Sequence, residues 1–401
     1  MTSGSIRMRP SADRHATCGV TLPAGGVSTP SPSFAEARSP HQKVRAAGLH
    51  PDYWYAVEYA DRVRCGQVVE VRFWGRSIAL YRGADGRLRA LENRCAHRQL
   101  PLSLGEVTGC ALTCAYHGWS YRDDGRLSEI PHELFGQSMP AVRLATYPVR
   151  ERYGLIWLFP GNPALAERRA IPEIPELEGP DRWAYVPIDF TWRAHHSMVM
   201  DNLCDLSHAY LHRRFPSFRA GRLLSCESEP DRVVMRYEAR VGPFAHLRCA
   251  QPRLLDIAYE YPYHRARFQW SNIEGPIAYW TFLLPVDERA TRVFFVFCYD
   301  RLRPEFSPVR LGHGVVQAFL RMIQPAVRRL LGQDGFALEA EQAGWDRHFE
   351  QPIPDLNPVV TLVERLTIDK WQTHLASSLP TETERPHAAP ATITPFYNEL
   401  P

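Results

Sequence analysis

Two short segments of the chain each carry one cysteine and one histidine. The first reads Cys95-Ala96-His97, and the second reads Cys114-Ala115-Tyr116-His117. Two thiolates and two imidazoles can together hold one metal ion or one small iron–sulfur cluster, but only if the two segments are loops that meet at one point. The fold must therefore bring these segments side by side, and no other feature of the sequence constrains the chain as strongly.

The distribution of these four side chains distinguishes between two kinds of metal centre. Structural zinc sites usually repeat C-x-x-C, or combine it with two closely spaced histidines, and the two segments show neither spacing. A Rieske [2Fe–2S] cluster needs two thiolates on one iron and two imidazoles on the other. The pattern therefore favours a Rieske cluster, and a Cys2His2 zinc site is the alternative.

The residues that follow the second segment point in the same direction. The run Cys114-Ala-Tyr-His-Gly-Trp-Ser-Tyr121 resembles the C-x-Y-H-G-W-x-Y signature of the Rieske non-haem iron oxygenases. Gly118 allows a tight turn beside the cluster, and Trp119 can shield the cluster from water, which tunes its reduction potential. The resemblance implies that the cluster ligands are Cys95, His97, Cys114 and His117.

A second group of candidate ligands lies in the run Asn202-Leu-Cys-Asp-Leu-Ser-His-Ala-Tyr-Leu-His212. We predict a helix over 196–212, on which His208 and His212 project from one face and Asp205 lies one turn before His208. Two neighbouring imidazoles begin a 2-His-1-carboxylate site, which leaves positions on iron(II) open for oxygen. An isolated H-x₃-H pair is weak evidence, because many helices carry one without a metal.

This run resembles the N-x-x-D-x-x-H-x₃₋₄-H motif in the catalytic domain of the same oxygenases. The resemblance implies that His208 and His212 bind a mononuclear Fe(II). It also implies that Asp205 hydrogen-bonds to a cluster-ligand histidine of a neighbouring subunit and relays the electron. Asn202 carries over as the first residue of the motif and as a second catalytic-site candidate.

The third iron ligand must be a carboxylate from elsewhere in the chain. The resemblance implies an aspartate in a D-x₄-E-x₂-Q pattern, and the run from Asp334 to Gln342 matches it. Asp334 is therefore the predicted ligand, and Glu339 and Asp346 are its competitors. The alternative is that Asp334 belongs to a turn or an N-cap ahead of a helix over 335–350.

The hydrophobic pattern predicts an α+β fold with two domains. Alternating segments at 67–74, 77–82, 87–91 and 148–159 predict a small antiparallel β-domain. A proline-rich connector follows at 161–180. Beyond it, we predict strands at 184–194, 232–241, 254–262, 265–272, 277–285 and 291–299, and further helices at 308–331 and 335–350. The run at 292–298 is continuously apolar, which predicts a central strand that is buried on both faces.

These patterns predict a Rieske domain over 47–160 and a catalytic domain over 161–378. Low-order tails are predicted over 1–46 and 379–401. The resemblance implies that the catalytic domain is a helix-grip fold of the START/Bet v1 type, with an antiparallel sheet and the mononuclear iron site. It also implies a head-to-tail homotrimer, because a closed ring brings metal sites of neighbouring subunits together.

Composition excludes several classes of protein. The net charge is +3 and no basic run is interleaved with aromatic residues, so nucleic-acid binding is not expected. No stretch is long and apolar enough to predict a membrane span. Nine cysteines in 401 residues do not indicate a disulfide scaffold, and they favour a reducing, bacterial cytoplasmic setting. Residues 1–45 have some likeness to an organellar transit peptide, which leaves that targeting open.

The implied function is an oxygenase that uses O2 and electrons from separate proteins. The chain lacks a G-x-G-x-x-G motif after a strand, so we expect a ferredoxin and a ferredoxin reductase, or one flavin reductase. An apolar aromatic or polycyclic substrate is suggested by aromatic residues in the predicted strands, namely Phe268, Trp270, Tyr279, Trp280, Phe282 and Phe295. The expected reaction is hydroxylation, demethylation or oxidative cyclisation in secondary metabolism. The alternatives are an electron-transfer-only Rieske protein and a ring-hydroxylating dioxygenase of aromatic catabolism.

Overall fold

The computed structural model describes residues 31–213, 218–242, 245, 249–271, 273–300, 303–304 and 311–377. The N-terminal half contains α1 (Pro40–Ala46), β1 (Tyr55–Tyr59), β2 (Val68–Phe73), β3 (Arg76–Arg82), β4 (Leu88–Glu92), β5 (Glu106–Thr108), β6 (Ala111–Thr113), β7 (Ser120–Tyr121), β8 (Leu127–Glu129), β9 (Val149–Arg152) and β10 (Leu155–Leu158). The C-terminal half contains β11 (Ala184–Trp192), α2 (His196–Cys204), β12 (Phe218–Glu229), β13 (Arg232–Val241), β14 (Arg253–Glu260), β15 (Tyr263–Phe268), β16 (Ile273–Glu274), β17 (Ile277–Asp287), β18 (Ala290–Tyr299), β19 (Arg303–Pro304), α3 (His313–His348) and α4 (Pro358–Ser377). Short 3-10 helices span Ala60–Arg62, Leu102–Leu104, Pro163–Leu165, Pro175–Leu177 and Leu206–Tyr210.

The N-terminal strands form three small antiparallel sheets. Their strand orders are β1-β10-β9, β2-β3-β4 and β5-β6-β7-β8. The second and third sheets share a small hydrophobic core, which includes Cys95 and Cys114, whereas β1 and β10 belong to the main core of the protein. The two ligand segments lie on the loops after β4 and after β6, at the end of the small core.

Seven of the C-terminal strands form one antiparallel sheet in the order β11-β18-β17-β15-β14-β13-β12, and β16 pairs separately with β19. Strand β18 pairs with β11 on one side and with β17 on the other. Both faces of β18 are covered as well. Helix α2 packs on one face. Tyr59 of β1 packs on the opposite face, where its ring lies 5.5 Å from that of Phe294. The predicted α+β class and the buried central strand are therefore confirmed.

The connector between the two halves is anchored to the sheet. Glu176 lies in its second 3-10 turn and is buried. Its Oε1 atom accepts a hydrogen bond from Arg267 at 2.6 Å, and its Oε2 atom accepts one from the indole of Trp280 at 3.0 Å. The two halves therefore pack as one body through the face of the sheet that is turned away from the helices.

Helix α3 differs from the predicted pair of helices. Residues 313–348 form one continuous helix, so the interruption predicted between 331 and 335 is wrong; residues 308–310 lie outside the described part of the chain. The sequence Gln-Asp-Gly suggested a turn, but Gly335 has a different role. A Cβ atom at this position would lie 2.3 Å from Nε1 of Trp192, so the glycine lets the helix approach β11 closely.

Helix α2 is shorter than predicted. It ends at Cys204, and Asp205 adopts extended backbone angles (φ −99°, ψ 109°) before the 3-10 turn Leu206–Tyr210. The prediction of one regular helix over 196–212 is therefore wrong. Asp205 causes the change locally, because its side chain accepts a hydrogen bond from the backbone N–H of Ser207 at 2.7 Å and caps the new turn.

Several elements were not predicted from the sequence. Among them are α1, β12 and α4. The first lies within the predicted tail over 1–46: Ser39 and Gln42 form a capping box, and Val44 is buried, so the end of that tail is a packed helix. Residues 1–30 and the predicted tail over 379–401 lie outside the described residues. Among the described helices, none is long and apolar enough to cross a membrane.

Candidate metal centres

The two ligand loops are brought together at the end of the small core. The imidazole rings of His97 and His117 have centroids 4.4 Å apart. Cys95 and Cys114 are both buried, and they are close enough that Cys95 contributes to raising the pKa of Cys114. The structure therefore places all four predicted cluster ligands at one site.

Backbone hydrogen bonds shape both loops as tight turns. In the first loop, the N–H of Gln99 donates to the carbonyl of Cys95 at 2.9 Å. In the second, the N–H of Gly118 donates to the carbonyl of Cys114 at 3.1 Å. Gly118 has a φ of 71°, and a Cβ atom there would lie 2.6 Å from Pro131. The glycine of the motif is therefore required by both conformation and space.

The chemistry of these donors fits a metal cluster. Burial raises the pKa of Cys114, and the neighbouring Cys95 raises it further, so two adjacent thiolates need a cation to stabilise them. Nδ1 of His97 is buried and has no hydrogen-bond partner among the residues that the structure describes. A buried imidazole nitrogen without a partner is expected where a metal binds. Cys95, His97, Cys114 and His117 could therefore hold the cluster.

Two aromatic residues support the cluster site. The indole of Trp119 stacks on the ring of His97, with centroids 4.6 Å apart and an angle of 5° between the planes. The hydroxyl of Tyr121 lies 3.3 Å from Sγ of Cys95 and accepts a hydrogen bond from the N–H of Ala96 at 3.0 Å. Tyr121 was not singled out from the sequence as a functional residue, although it ends the motif that resembles the Rieske signature.

The second site lies between the 3-10 turn and helix α3. Candidate donor atoms of His208, His212 and Asp334 all lie within 4.8 Å of one another. Oδ1 of Asp334 is 3.5 Å from Nε2 of His208 and 3.2 Å from Nε2 of His212. Two imidazoles and one carboxylate that converge in this way could hold a mononuclear iron and leave positions open.

Burial and charge affect the two histidines differently. Burial lowers the pKa of His208, and the carboxylate of Asp334 opposes this only in part. The pKa of His212 is raised above its usual value, because the hydrogen bond to Asp334 and the negative charge of that carboxylate together outweigh the effect of burial. A metal must displace any proton that His212 shares with Asp334, since only a neutral imidazole is a ligand.

The two other candidate residues of the motif lie next to this site. The amide Nδ2 of Asn202 is 3.5 Å from Oδ1 of Asp334. Asp205 accepts hydrogen bonds from Ser207 and, at 2.8 Å, from the amide of Asn357. Asn357 was not identified from the sequence, because it follows the end of α3 and no motif includes it.

The structure also distinguishes Asp334 from its competitors. Glu339 accepts a hydrogen bond from the N–H of Arg193 at 3.0 Å. Asp346 accepts one from Gln342 at 3.0 Å and pairs with Arg289 at 3.4 Å. Neither carboxylate belongs to the group formed by the two histidines. Asp334 itself is buried in the interior of α3, so the N-cap alternative is wrong.

The aromatic residues of the sheet divide between its two faces. Strand pairing places Tyr279 opposite Phe297, on the face that also carries Phe295 and Phe268. Trp280 and Phe282 lie on the opposite face: the ring of Phe282 is 4.9 Å from Trp157, and Trp280 bonds to the connector. These side chains therefore do not all line the same side of the sheet, since side chains alternate along a strand.

Comparisons with known proteins match both halves of the chain. One family model, the Rieske [2Fe-2S] domain, matches residues 53–148, and the vanillate O-demethylase oxygenase C-terminal domain matches residues 192–361. The 4beta-methylsterol monooxygenase of Methylococcus capsulatus is 42% identical over 359 residues, which cover 87% of this chain and 96% of that protein. The vanillate O-demethylase oxygenase subunit of a Pseudomonas species is 40% identical over 136 residues, which cover 34% of this chain and 40% of that protein.

Solved structures show the same fold. The crystal structure of dicamba monooxygenase bound to dicamba matches with a TM-score of 0.67 at 21% identity, and the match covers 82% of this chain and 100% of that one. The zinc and electron-transfer-only alternatives are excluded, because the Rieske domain is followed by an oxygenase domain. The chain therefore belongs to the Rieske non-haem iron oxygenases, which are oxidoreductases with a Rieske [2Fe–2S] cluster and a mononuclear non-haem iron.

Proposed function

We propose that this protein is a monooxygenase that oxidises a methyl group of a sterol-like polycyclic substrate. The observation that carries the proposal is the 42% identity to a 4beta-methylsterol monooxygenase over 96% of that protein. The overall reaction converts a methyl group, O2, two electrons and two protons into a hydroxymethyl group and water. A place in secondary metabolism stays a prediction.

In this proposal, the cluster ligands are Cys95, His97, Cys114 and His117, and the iron ligands are His208, His212 and Asp334. When bound, the two groups supply electron storage and the activation of O2, respectively. The protein groups around them hold the ligands in place: Tyr121 and Trp119 at the cluster, and Asn202 and Gln333 at the iron. Gln333 contributes because its Oε1 atom lies 3.1 Å from Nδ1 of His212 and orients that ring.

We propose that the substrate lies between helix α3 and the sheet. Several apolar side chains there are only partly buried: Phe319, Ile323, Val327 and Leu331 on α3, and Phe268, Tyr279 and Phe297 on the sheet. Leu331 precedes Asp334 by one turn, so the apolar stripe of the helix leads to the iron ligand. An apolar lining that ends at a reactive centre suits a polycyclic hydrocarbon skeleton.

We propose that the electron passes from the cluster of one subunit to the mononuclear iron of a neighbouring subunit in a homotrimer. Large apolar side chains are exposed in both regions that would meet. Near the cluster loops, Tyr116 is 57% exposed and Phe135 is 77% exposed; near Asp205, Tyr210 is 76% exposed and Leu356 is 93% exposed. A second copy of the chain would cover both groups of residues and bring Asp205 to a cluster-ligand histidine.

The assembly can be tested by light scattering coupled to size-exclusion chromatography. The chain has a mass of 45.9 kDa, and a particle of about three times this mass is expected. Replacing Phe135 with Asp should shift the protein toward monomers and slow turnover, while the cluster spectrum persists. A monomeric wild-type protein with full activity would exclude the proposed route of the electron.

The reaction can be tested with the purified protein, a ferredoxin, a ferredoxin reductase or a single flavin reductase, and NAD(P)H. A 4-methylsterol supplied under ¹⁸O₂ should give a product with one labelled oxygen on the methyl carbon. Vanillate is the comparison substrate, because the C-terminal family model is that of vanillate O-demethylase. Turnover of vanillate, with none of the sterol, would replace the sterol proposal with aromatic demethylation.

A further inference from the structure

The side chain of Arg45, at the end of helix α1, contacts three other helices. Its Nη1 atom donates hydrogen bonds to Oγ of Ser197 at 2.5 Å and to Oδ2 of Asp201 at 2.8 Å, both on α2. Its Nη2 atom donates to Oε1 of Glu341 on α3 at 3.3 Å and lies 3.9 Å from Glu364 on α4. The side chain of Arg45 is only 7% exposed, so its contacts with Asp201 and Glu364 are largely shielded from water.

The partners of Arg45 on α2 and α3 are close in sequence to residues of the candidate iron site. Asp201 immediately precedes Asn202, whose amide is 3.5 Å from Asp334. Glu341 lies about two turns after Asp334, which returns it to nearly the same side of α3. Arg45 therefore joins the helix that leads into the two histidines to the helix that carries the carboxylate.

Charge explains why an arginine is needed at this position. The carboxylates of Asp201, Glu341 and Glu364 surround its one guanidinium, and His41 contacts Glu364 at 3.0 Å. Without the positive charge, these carboxylates would repel one another across the contact between the helices. Arg45 is suited to this arrangement because its planar fork can serve several acceptors at once.

Two other contacts attach the same short segment to these helices. Nε2 of Gln42 donates to the carbonyl of Phe349, just beyond α3, at 3.2 Å. Nε2 of His196, at the start of α2, lies 2.8 Å from the carbonyl of Ala47. Helix α1 is therefore fixed at several points, and its orientation does not depend on Arg45 alone.

We propose that Arg45 is a positioning residue for the mononuclear iron, which holds α2 and α3 in the register that brings His208, His212 and Asp334 together. The inference rests on the iron ligands assigned in the proposed function. It goes beyond them, because it gives a segment that precedes the Rieske domain a role in the catalytic domain.

The test measures the binding of Fe(II) to protein from which the mononuclear iron has been removed and in which the cluster is retained. Arg45→Gln should weaken Fe(II) binding by about 10-fold or more, the range for groups that orient metal ligands. Arg45→Lys, which keeps the charge, should restore part of the affinity. The electron paramagnetic resonance spectrum of the reduced cluster should be the same in every variant.

Two further variants make the test decisive. Glu341→Gln removes only the negative charge that Arg45 meets on α3; the Glu341 side chain is 50% exposed, so this variant should fold, and its Fe(II) affinity should also fall. Arg38→Gln is the control, since Arg38 is an exposed residue just before α1, and its affinity should be unchanged. If Arg45→Gln does not fold, the Fe(II) affinity of Glu341→Gln decides whether the contact between Arg45 and α3 positions the iron ligands.

The outcomes separate this inference from the proposed function. Wild-type Fe(II) affinity in both Arg45→Gln and Glu341→Gln would overturn the role of Arg45 and leave the ligand assignment intact. A wild-type protein that binds no Fe(II) beyond its cluster would overturn the ligand assignment itself. A third outcome would show that Arg45 is a purely structural residue. In that case, Fe(II) binding would be weaker in Arg45→Gln, would not be restored at all in Arg45→Lys, and would be normal in Glu341→Gln.

Discussion

Nε2 of His212 lies 3.2 Å from Oδ1 of Asp334, although one residue follows a 3-10 turn and the other lies in the interior of a helix far along the chain. This contact joins the two elements that carry the candidate iron ligands. Because Oδ1 of Asp334 is also 3.5 Å from Nε2 of His208, one carboxylate oxygen connects both imidazoles. The geometry of the iron site therefore depends on how α3 is held against the turn that carries the histidines.

The carboxylate ligand can be identified by exchanging three acids for their amides. Asp334→Asn should remove the mononuclear iron and reduce turnover to background, because the site loses the carboxylate that converges with the two histidines. Glu339→Gln and Asp346→Asn are matched controls, since their carboxylates bond to other groups. Metal analysis and product formation measure the effect. Loss of iron from either control, with iron retained in Asp334→Asn, would show that the assignment is wrong.

The hydroxyl of Tyr121 should raise the reduction potential of the cluster. It lies 3.3 Å from Sγ of Cys95, and a hydrogen bond to a cluster sulfur stabilises the reduced, more negative state. Tyr121→Phe should therefore lower the potential in a redox titration. Tyr81→Phe is the control, because that hydroxyl bonds to the carbonyl of Cys110 instead. Equal potentials in wild type and Tyr121→Phe would mean that the contact does not reach the cluster.

Gly335 should be intolerant of a methyl group, unlike a second glycine of the same helix. A Cβ atom at Gly335 would lie 2.3 Å from the indole of Trp192, whereas one at Gly344 would meet nothing within 4 Å. We expect Gly335→Ala to reduce the free energy of unfolding by about 1–3 kcal/mol and to weaken iron binding through its neighbour Asp334. Gly344→Ala should be neutral or stabilising by up to about 1 kcal/mol. Urea unfolding tests both, and equal effects would contradict the proposed close approach.

A buried histidine should make the stability of the protein depend on pH. Burial lowers the pKa of His264 to about 3, and the nearby carbonyl of Leu203 opposes this only slightly. In the unfolded chain this histidine has the ordinary pKa of a solvated imidazole, about 6.5. Between these two pKa values the unfolded state therefore binds more protons than the folded state. The contribution of His264 to the free energy of unfolding is complete above about pH 6.5 and falls as the pH decreases toward 3.

His264→Leu tests this dependence. The variant should lose less stability than the wild type between about pH 7.5 and about pH 5.5, as measured by the midpoint of thermal unfolding. His348→Asn provides the comparison, because His348 is exposed at the end of α3 and its replacement should leave the pH dependence unchanged. If His264→Leu and the wild type respond equally to pH, His264 does not titrate as its burial requires.

The sequence was sufficient to predict the α+β class and the central buried strand, and it indicated the seven candidate ligands that the structure gathers at two sites. These features depend on short motifs and on local hydrophobic patterns. The interruption of α2 at Asp205 could not be predicted in the same way, because it depends on a cap to Ser207 that competes with a continuous helical pattern. The break that was predicted before Gly335 is wrong, because the sequence does not distinguish a glycine that terminates a helix from one that allows close packing.

The role of α1 was missed for a different reason. Residues rich in serine, proline and arginine are typical of a disordered tail, and only the long-range contacts of Arg45 with α2, α3 and α4 show that this segment belongs to the core. Such contacts join residues far apart in the chain, and they leave no periodic signal. The same applies to Asn357, whose bond to Asp205 depends on the path of the chain after α3.

We propose that two separate iron centres occupy this chain and that His208 belongs to only one of them. Iron and acid-labile sulfide, measured together in wild type and in His208→Ala, test it most directly. The wild type should contain one iron per chain in addition to the cluster iron that its sulfide content accounts for. His208→Ala should lose only that additional iron, keep its Rieske absorption spectrum and form no product. Unchanged iron content in His208→Ala, or loss of the sulfide and the spectrum together with the iron, would contradict the account.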